Sequence, residues 1–214
     1  MKNIPWRFIA VEGNIGAGKT TLCQRLAEQY GCSLLLEQFT DNPFLPFFYE
    51  QPERYAFPVE LFFMTERHKQ LLEHFSKPDF FVPFTVADYF FVKTLLFAKN
   101  NLNEEEFRLF QRLFHVLNST FPKPDLLVYL HRPVDVLIRQ IRGRGRGYEQ
   151  NISPDYLEDI QTAYLSYLKQ ETEAPVVIVE LGEADFQRDD RVYGEMLELI
   201  GTPFPIGLHH VEIT

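Results

Sequence analysis

An α/β fold, a parallel sheet covered by helices, is predicted by three observations. Strand-like apolar runs alternate with stretches of helical spacing along the chain, the first run leads straight into a glycine-rich turn, and no low-complexity tract breaks the pattern. The 214 residues suit one large domain, placed here at residues 1–200.

The strand-like runs are Phe8 to Val11, Leu34 to Leu36, Phe84 to Ala87, Leu126 to Leu130 and Val176 to Leu181. Between them, helical spacing covers Lys19 to Tyr30, Glu53 to Phe75, Glu104 to Leu117, Val134 to Arg142, Pro154 to Gln170 and Arg191 to Ile200. Pro122 and Pro124 end a helix and feed the fourth strand, because proline cannot continue a helix and biases its predecessor toward extended backbone. Residues 201–214 carry Gly, Pro and paired His without periodicity and are expected to be a tail of uncertain order, with no function assigned.

The composition is 45% hydrophobic, with 21 Phe and 10 Tyr, so a sizeable core is expected. A formal net charge of −9 argues against a nucleic-acid polymer as partner, although the local run Arg139 to Arg146 could hold a small anion. Cys23 and Cys32 have no metal-ligand or disulfide spacing and fit buried thiols in a reducing compartment. No apolar run approaches the roughly 20 residues that cross a bilayer. Together with an N-terminus that lacks a signal-like apolar region, this leads to the expectation of a soluble, cytoplasmic protein without a membrane partner.

The strongest local signal is Gly13-Asn14-Ile15-Gly16-Ala17-Gly18-Lys19-Thr20, which fits G-x-x-x-x-G-K-[ST] between a strand and a helix. Glycines there let successive backbone N–H groups turn toward phosphate oxygens at a positive helix end, and Lys19 adds a charge near the outer phosphates. Thr20, followed by Thr21, offers a hydroxyl to the Mg²⁺ that normally arrives with nucleotide phosphates. Glu37 follows the second strand and should stand beside this loop at the carboxyl edge of the sheet, where it can take a proton from an attacking hydroxyl. Arg139, Arg142, Arg144 and Arg146 run into Gly143, Gly145 and Gly147, the pattern of a hinged loop that can close over transferring phosphates. These features predict a P-loop NTPase fold with an Arg-rich lid.

The stretches Val11 to Leu22, Asp41-Asn42-Pro43-Phe44-Leu45, Arg144-Gly145-Arg146 with Glu149, and Ala184-Asp185-Phe186 resemble the deoxynucleoside kinases, in particular the bacterial deoxyadenosine and deoxyguanosine kinases. The resemblance runs from Phe8 to about Ile200. It implies a five-stranded parallel sheet, transfer of the ATP γ-phosphate to the 5′-hydroxyl of a deoxynucleoside in nucleotide salvage, and a homodimer built through helices. Glu37 matches the general base. Tyr49 and Glu149 match contacts to the sugar 3′-hydroxyl, Arg67 the pocket arginine of the long helix, Arg144 and Arg146 the phosphate-clamping lid, and Asp185 with Phe186 the segment along the adenine of ATP.

Two positions depart from the family pattern. Where the family has an acidic-Arg-Ser block, Asp88 keeps the acid near Mg²⁺ and Tyr89 replaces the arginine. A lost cation at a phosphoryl-transfer site weakens the transition state unless Lys93, in the following helix, supplies one. Glu60 stands where a glutamine typically meets the base edge. An ionised Glu60 only accepts hydrogen bonds and suits guanine, with its N1–H and amino donors; the competing reading is that Arg67, about two turns on, neutralises Glu60. Phe44, Phe47, Phe48, Phe57, Phe62 and Phe63 offer rings for a stacking wall, though most large rings are expected in the core.

The leading expectation is therefore an ATP- and Mg²⁺-dependent deoxynucleoside kinase acting on a small-molecule nucleoside, with purine preference. Two other readings compete. A nucleoside monophosphate kinase would need more basic residues on the acceptor side, and a nucleotide-binding regulatory module would keep the cradle without the chemistry.

Overall fold

The computed structural model describes residues 3–37, 42–76, 81–118, 121–171 and 173–213, so Asp41 of the Asn42-Pro43 block lies outside the described residues. Six parallel strands form one sheet in the order β2-β3-β1-β4-β5-β6, with β1 Phe8–Gly13, β2 Ser33–Leu35, β3 Thr85–Ala87, β4 Leu126–His131, β5 Pro175–Glu180 and β6 Gly207–Glu212. Eight helices among the described residues cover it: α1 Lys19–Tyr30, α2 Leu45–Phe48, α3 Pro52–Ser76, α4 Val92–Asn101, α5 Glu104–Asn118, α6 Val134–Arg144, α7 Pro154–Leu168 and α8 Asp190–Ile200.

The alternation of the strands sorts their side chains into two cores. Phe8 and Ala10 of β1, Leu127 and Tyr129 of β4, and Val176 and Ile178 of β5 face the layer of α3, α4 and α5. Ile9, Val11, Leu126, Val128, Val177 and Val179 face the layer of α1, α6 and α8. By the same alternation Glu12 points to the α3–α4 side, where it is buried.

The expected strands and long helices are present, with ends shifted by up to two residues; β2 begins and ends one residue earlier, at Ser33 and Leu35. Two expectations are corrected. The sheet has six strands instead of five, and residues 207–212 of the supposed tail are the sixth, paired in register from Pro175↔Gly207 to Glu180↔Glu212. Trp6 donates its indole N–H to the Ile200 carbonyl at 2.8 Å, and Ile213 is buried beyond the strand. As an edge strand, β6 stays half-exposed and so lacks the continuous apolar run that marks the inner strands.

The order of strands places a switch point between β1 and β3. The chain moves outward from β1 to β2, returns through β3, and crosses to β4 on the other side of β1. The phosphate loop, Glu37 and Asp88 follow β1, β2 and β3 at this carboxyl edge, where open α/β sheets bind ligands.

Candidate active site

The loop after β1 is shaped by close approach. Gly13 has φ +151°, and a Cβ there would meet the Leu130 carbonyl oxygen at 2.8 Å; Gly18 has φ +96°, and its Cβ would meet the Phe186 ring at 2.8 Å. Any side chain at either position would push the loop away from its support. Asn14 pins the loop to α7 by donating Nδ2 to the Leu157 carbonyl at 2.7 Å, while its Oδ1 accepts from Ile15 N at 2.8 Å. Lys19 folds back over the loop and donates Nζ to the carbonyls of Gly13 and Asn14 at 2.9 and 2.8 Å. Burial, and then the neighbouring Lys93 cation, push the Lys19 ammonium down to about 8.

A second support for the loop carried no motif. Arg132, buried after β4, donates to the carbonyls of Ala17, Gly182 and Ala184, tying the cradle to the Asp185–Phe186 segment. Phe186 is itself buried, its ring against Gly18, and the segment borders the phosphate-side cavity.

Two cavities open at this edge. One is bounded by Gly18, Thr21, Arg132 and Asp185. The other is bounded by Tyr49, Glu60, Phe63, Phe97 and Tyr156. Gly16, Lys19, Thr20, Glu37, Arg144 and Arg146 line both, so they form the wall across which a group can pass. Of the sequence-derived set, Gly13, Asn14 and Ala17 line neither cavity, Asn14 and Ala17 being buried in the loop, and Ile15 lines the second cavity instead of the first; the others border one or both.

Glu37 is the centre of this wall. Arg67 donates Nε to Glu37 Oε1 at 2.7 Å, with Nη2 at 2.5 Å, and Lys93 Nζ reaches Oε2 at 2.5 Å. Burial alone would raise the carboxyl, but the two cations outweigh it and hold Glu37 well below the usual carboxylate range. Asp88 accepts from Thr20 Oγ1 at 2.5 Å and from the Glu37 backbone N–H at 2.7 Å. That hydroxyl-carboxylate pair is the hard oxygen set that Mg²⁺ prefers.

Tyr89 lies fully buried and donates its hydroxyl to Gln70 at 2.9 Å, so it does not occupy the wall. Glu37 takes its cations instead from Arg67 and from Lys93, four positions after Tyr89. Glu12, which the sequence reading passed over, supports Lys93: it accepts from Phe90 N at 2.6 Å and from the Tyr164 hydroxyl at 2.8 Å, fixing the turn that starts α4. A carboxylate inside an otherwise fully buried apolar strand was the available signal.

On the lid, Arg144 and Arg146 both pair with the buried Glu149, Arg146 at 3.3 Å. Arg139 is exposed and paired with Asp135 and Glu183, and it lines only the first cavity. Tyr49 stacks on Tyr148 with planes 8° apart, beside Glu149. Of the six phenylalanines proposed as a wall, Phe48 and Phe63 line the second cavity, Phe47 is exposed, and Phe97 of α4 supplies a ring that was not foreseen.

Glu60 is 2% exposed and faces the second cavity. Its Oε1 accepts from Asn101 Nδ2 at 2.7 Å, and its Oε2 has no hydrogen-bond partner among the described residues. Arg67 does not take it up: its N–H groups go to Glu37 and, at 2.9 Å, to the Thr94 hydroxyl. Burial pushes Glu60 up to about 7, against the pull of Arg67 and Asn101.

A glycine-built loop between a strand and a helix, sharing a wall with a second cavity, is the layout of a P-loop phosphotransferase. Comparison with known proteins narrows this. The sequence family described as "Deoxynucleoside kinase" matches residues 9–204. The chain is 34% identical over 204 residues to a deoxyguanosine kinase of Bacillus subtilis, covering 90% of this chain and 97% of that one. It is 31% identical over 206 residues to a deoxyguanosine kinase of Lactobacillus johnsonii, 90% of each, and 28% identical over 202 residues to a deoxyadenosine/deoxycytidine kinase of B. subtilis, 91% and 92%. A solved deoxyadenosine kinase from M. mycoides with bound dATP shares the fold, with a TM-score of 0.76 at 23% identity over 89% of this chain and 99% of that one. The chain belongs to the deoxynucleoside kinase family, and it is an enzyme that phosphorylates nucleosides. The monophosphate-kinase and regulatory readings give way to this one. No helix among the described residues is long and apolar enough to cross a membrane.

Proposed function

We propose that the protein transfers the γ-phosphoryl group of ATP to the 5′-hydroxyl of a purine deoxynucleoside, in nucleotide salvage. The observation that carries this is Glu37, ionised and set in the wall between the two cavities beside Lys19 and Thr20. Its carboxylate takes the proton of the 5′-hydroxyl as that oxygen attacks phosphorus. Lys93 and Arg67 orient it, and Lys93 supplies the positive charge that the family's arginine would bring at position 89. Lys19, Arg144 and Arg146 neutralise charge on the transferring group.

ATP would lie in the first cavity with its phosphates on the Gly13 to Thr21 loop and its adenine along Asp185 and Phe186. Thr20 and Asp88 would hold Mg²⁺, which neutralises phosphate charge when bound. Tyr49 and Glu149 would hold the deoxyribose, with the base between Phe63 and Phe97. The similarity to two deoxyguanosine kinases supports a purine acceptor. Two buried free cysteines suit the cytoplasm, and Leu109, Leu113 and Val116, exposed on α5, suit a homodimer through helices.

The test is ADP release with Mg²⁺·ATP and each of the four deoxynucleosides. Turnover with a purine deoxynucleoside that Glu37→Gln abolishes is the expected result. ATP binding without turnover on any of the four would overturn it.

A further inference from the structure

We propose that Arg132 is a positioning residue of the phosphate-donor site: its guanidinium turns three peptide groups so that the phosphate loop and the segment from Gly182 to Phe186 grip one nucleotide together. This rests on the kinase reading of the first cavity as the place of that nucleotide. Arg132 directly follows β4, at the carboxyl edge of the sheet. It is buried and borders the first cavity.

The guanidinium fork donates Nε to the Ala17 carbonyl at 3.2 Å, Nη1 to that of Gly182 at 2.9 Å and Nη2 to that of Ala184 at 2.7 Å. In a planar trans peptide the C=O and the N–H of the next residue point in opposite directions, and the described residues contain no cis peptide bond. Fixing those three carbonyls therefore fixes the N–H groups of Gly18, Glu183 and Asp185, turned away from the guanidinium. All three residues border the first cavity, and none of these N–H groups has a hydrogen-bond partner among the described residues. Open backbone donors held in a set orientation suit the acceptor atoms of a ligand, phosphate oxygens among them.

Charge singles out the same residue. Arg139, Arg144, Arg146 and Arg188 also border the first cavity, and each pairs with a carboxylate. Arg132 has only neutral carbonyls as partners among the described residues; Asp185 and Glu183 pull on it from further away, while burial lowers it from its ordinary value. A buried cation without a counter-ion is costly, and a polyphosphate in this cavity brings the opposite charge toward it. A lysine would supply that charge without the planar fork that spans three carbonyls.

The first experiment uses the wild-type protein, Mg²⁺ and inorganic tripolyphosphate, which has the phosphates and no base. Hydrogen exchange should slow in residues 182–186 as well as in the phosphate loop; protection confined to the loop overturns the proposal. Arg132→Met should lose the protection of 182–186 and keep that of the loop. By calorimetry, Arg132→Met should weaken ATP about 10- to 100-fold, the effect of losing hydrogen bonds to a charged group. Tripolyphosphate should weaken less, because only one of the three N–H groups belongs to the phosphate loop, and deoxynucleoside binding should stay within a few fold. In steady state KM for ATP should rise more than kcat falls. Arg132→Lys should recover tripolyphosphate binding without recovering the lost ATP affinity. The proposal is overturned if Arg132→Met binds ATP as the wild type does, if Arg132→Lys restores ATP affinity in full, or if ATP and deoxynucleoside weaken equally. The wild-type exchange needs no variant, so a substitution that fails to fold leaves the test in place. Arg132-dependent ATP binding without turnover on any deoxynucleoside would sink the kinase reading and leave this one standing. Turnover that Glu37→Gln abolishes, with ATP affinity intact in Arg132→Met, would do the reverse.

Discussion

Among the carboxyls that line the second cavity are Glu37, in the wall shared with the phosphate loop, and the buried Glu60 away from it, and the protein treats these two in opposite ways. At the phosphate end, Glu37 has two cations within 2.7 Å of its oxygens and stays ionised far into acid. At the other end, Glu60 has a neutral amide on one oxygen and an unpaired second oxygen, and burial brings it to the edge of neutralisation. Both residues are acids on apolar scaffolding, so burial acts on both in the same direction. What separates them is pairing: the Arg67 guanidinium and the Lys93 ammonium both bind Glu37, and neither hydrogen-bonds Glu60. Environments that push two carboxyls apart divide their tasks between proton transfer and recognition.

The sharpest way to break this comparison is at Glu37. Glu37→Gln should lower kcat by ~10²- to 10⁴-fold while ATP still binds, as measured by steady-state turnover beside equilibrium titration. Retained turnover would remove Glu37 from the chemistry. Next in size is Lys93→Met, for which we expect a fall in kcat of about 10²- to 10³-fold, the effect of removing one donor aimed at developing charge. The paired substitution Tyr89→Phe should leave kcat within a few fold, because that hydroxyl faces Gln70, and it should cost roughly 1 kcal/mol in a urea melt. Equal losses in the two variants would contradict the assignment of the cation to Lys93.

The smallest effect concerns Lys19, a cation of the wall that Glu37 does not bind. In the free protein its ammonium sits at about 8, below the ordinary 10.5. Phosphates restore the charged form, so ATP binding should take up protons between those values, approaching about one proton near pH 9 and little at pH 7. Calorimetry in two buffers of different ionisation enthalpy measures it. Release of protons instead would mean that Lys19 does not meet the phosphates.

How much of this was legible depended on how local each feature is. The phosphate loop, its strand and its helix are contiguous, and their residue types are demanded by backbone geometry, so Gly13 to Thr20 could be placed from the chain alone. Glu37 followed from its position at the end of a strand. Asn101, Tyr156 and Phe97 could not be found, because α4 packs on α3 and on α7 only in the fold and none of the three carries a spacing signal. Arg132 was hidden for the same reason: it acts on three carbonyls contributed by two separate loops. The rival partners of Arg67 illustrate the limit. Helical spacing brought Glu60 within its reach, whereas the pairing with Glu37, across 30 positions, was a tertiary fact. The sixth strand was missed because β6, half in water, carries His209 and His210 where an inner strand would be apolar.

One carboxylate, Glu149, binds both Arg144 and Arg146 and also borders the second cavity. On the proposed reading, a sugar hydroxyl that drew on Glu149 would loosen Arg144 and Arg146 toward the phosphates, and phosphates that attracted the arginines would free Glu149 for the sugar. Two ligands that each relieve the other's partner of the same ion pair are thermodynamically linked, and the factor by which the first raises the affinity of the second must equal the factor in the opposite order. The lid would then be an exchange point, through which the arrival of one substrate is coupled to the grip on the other.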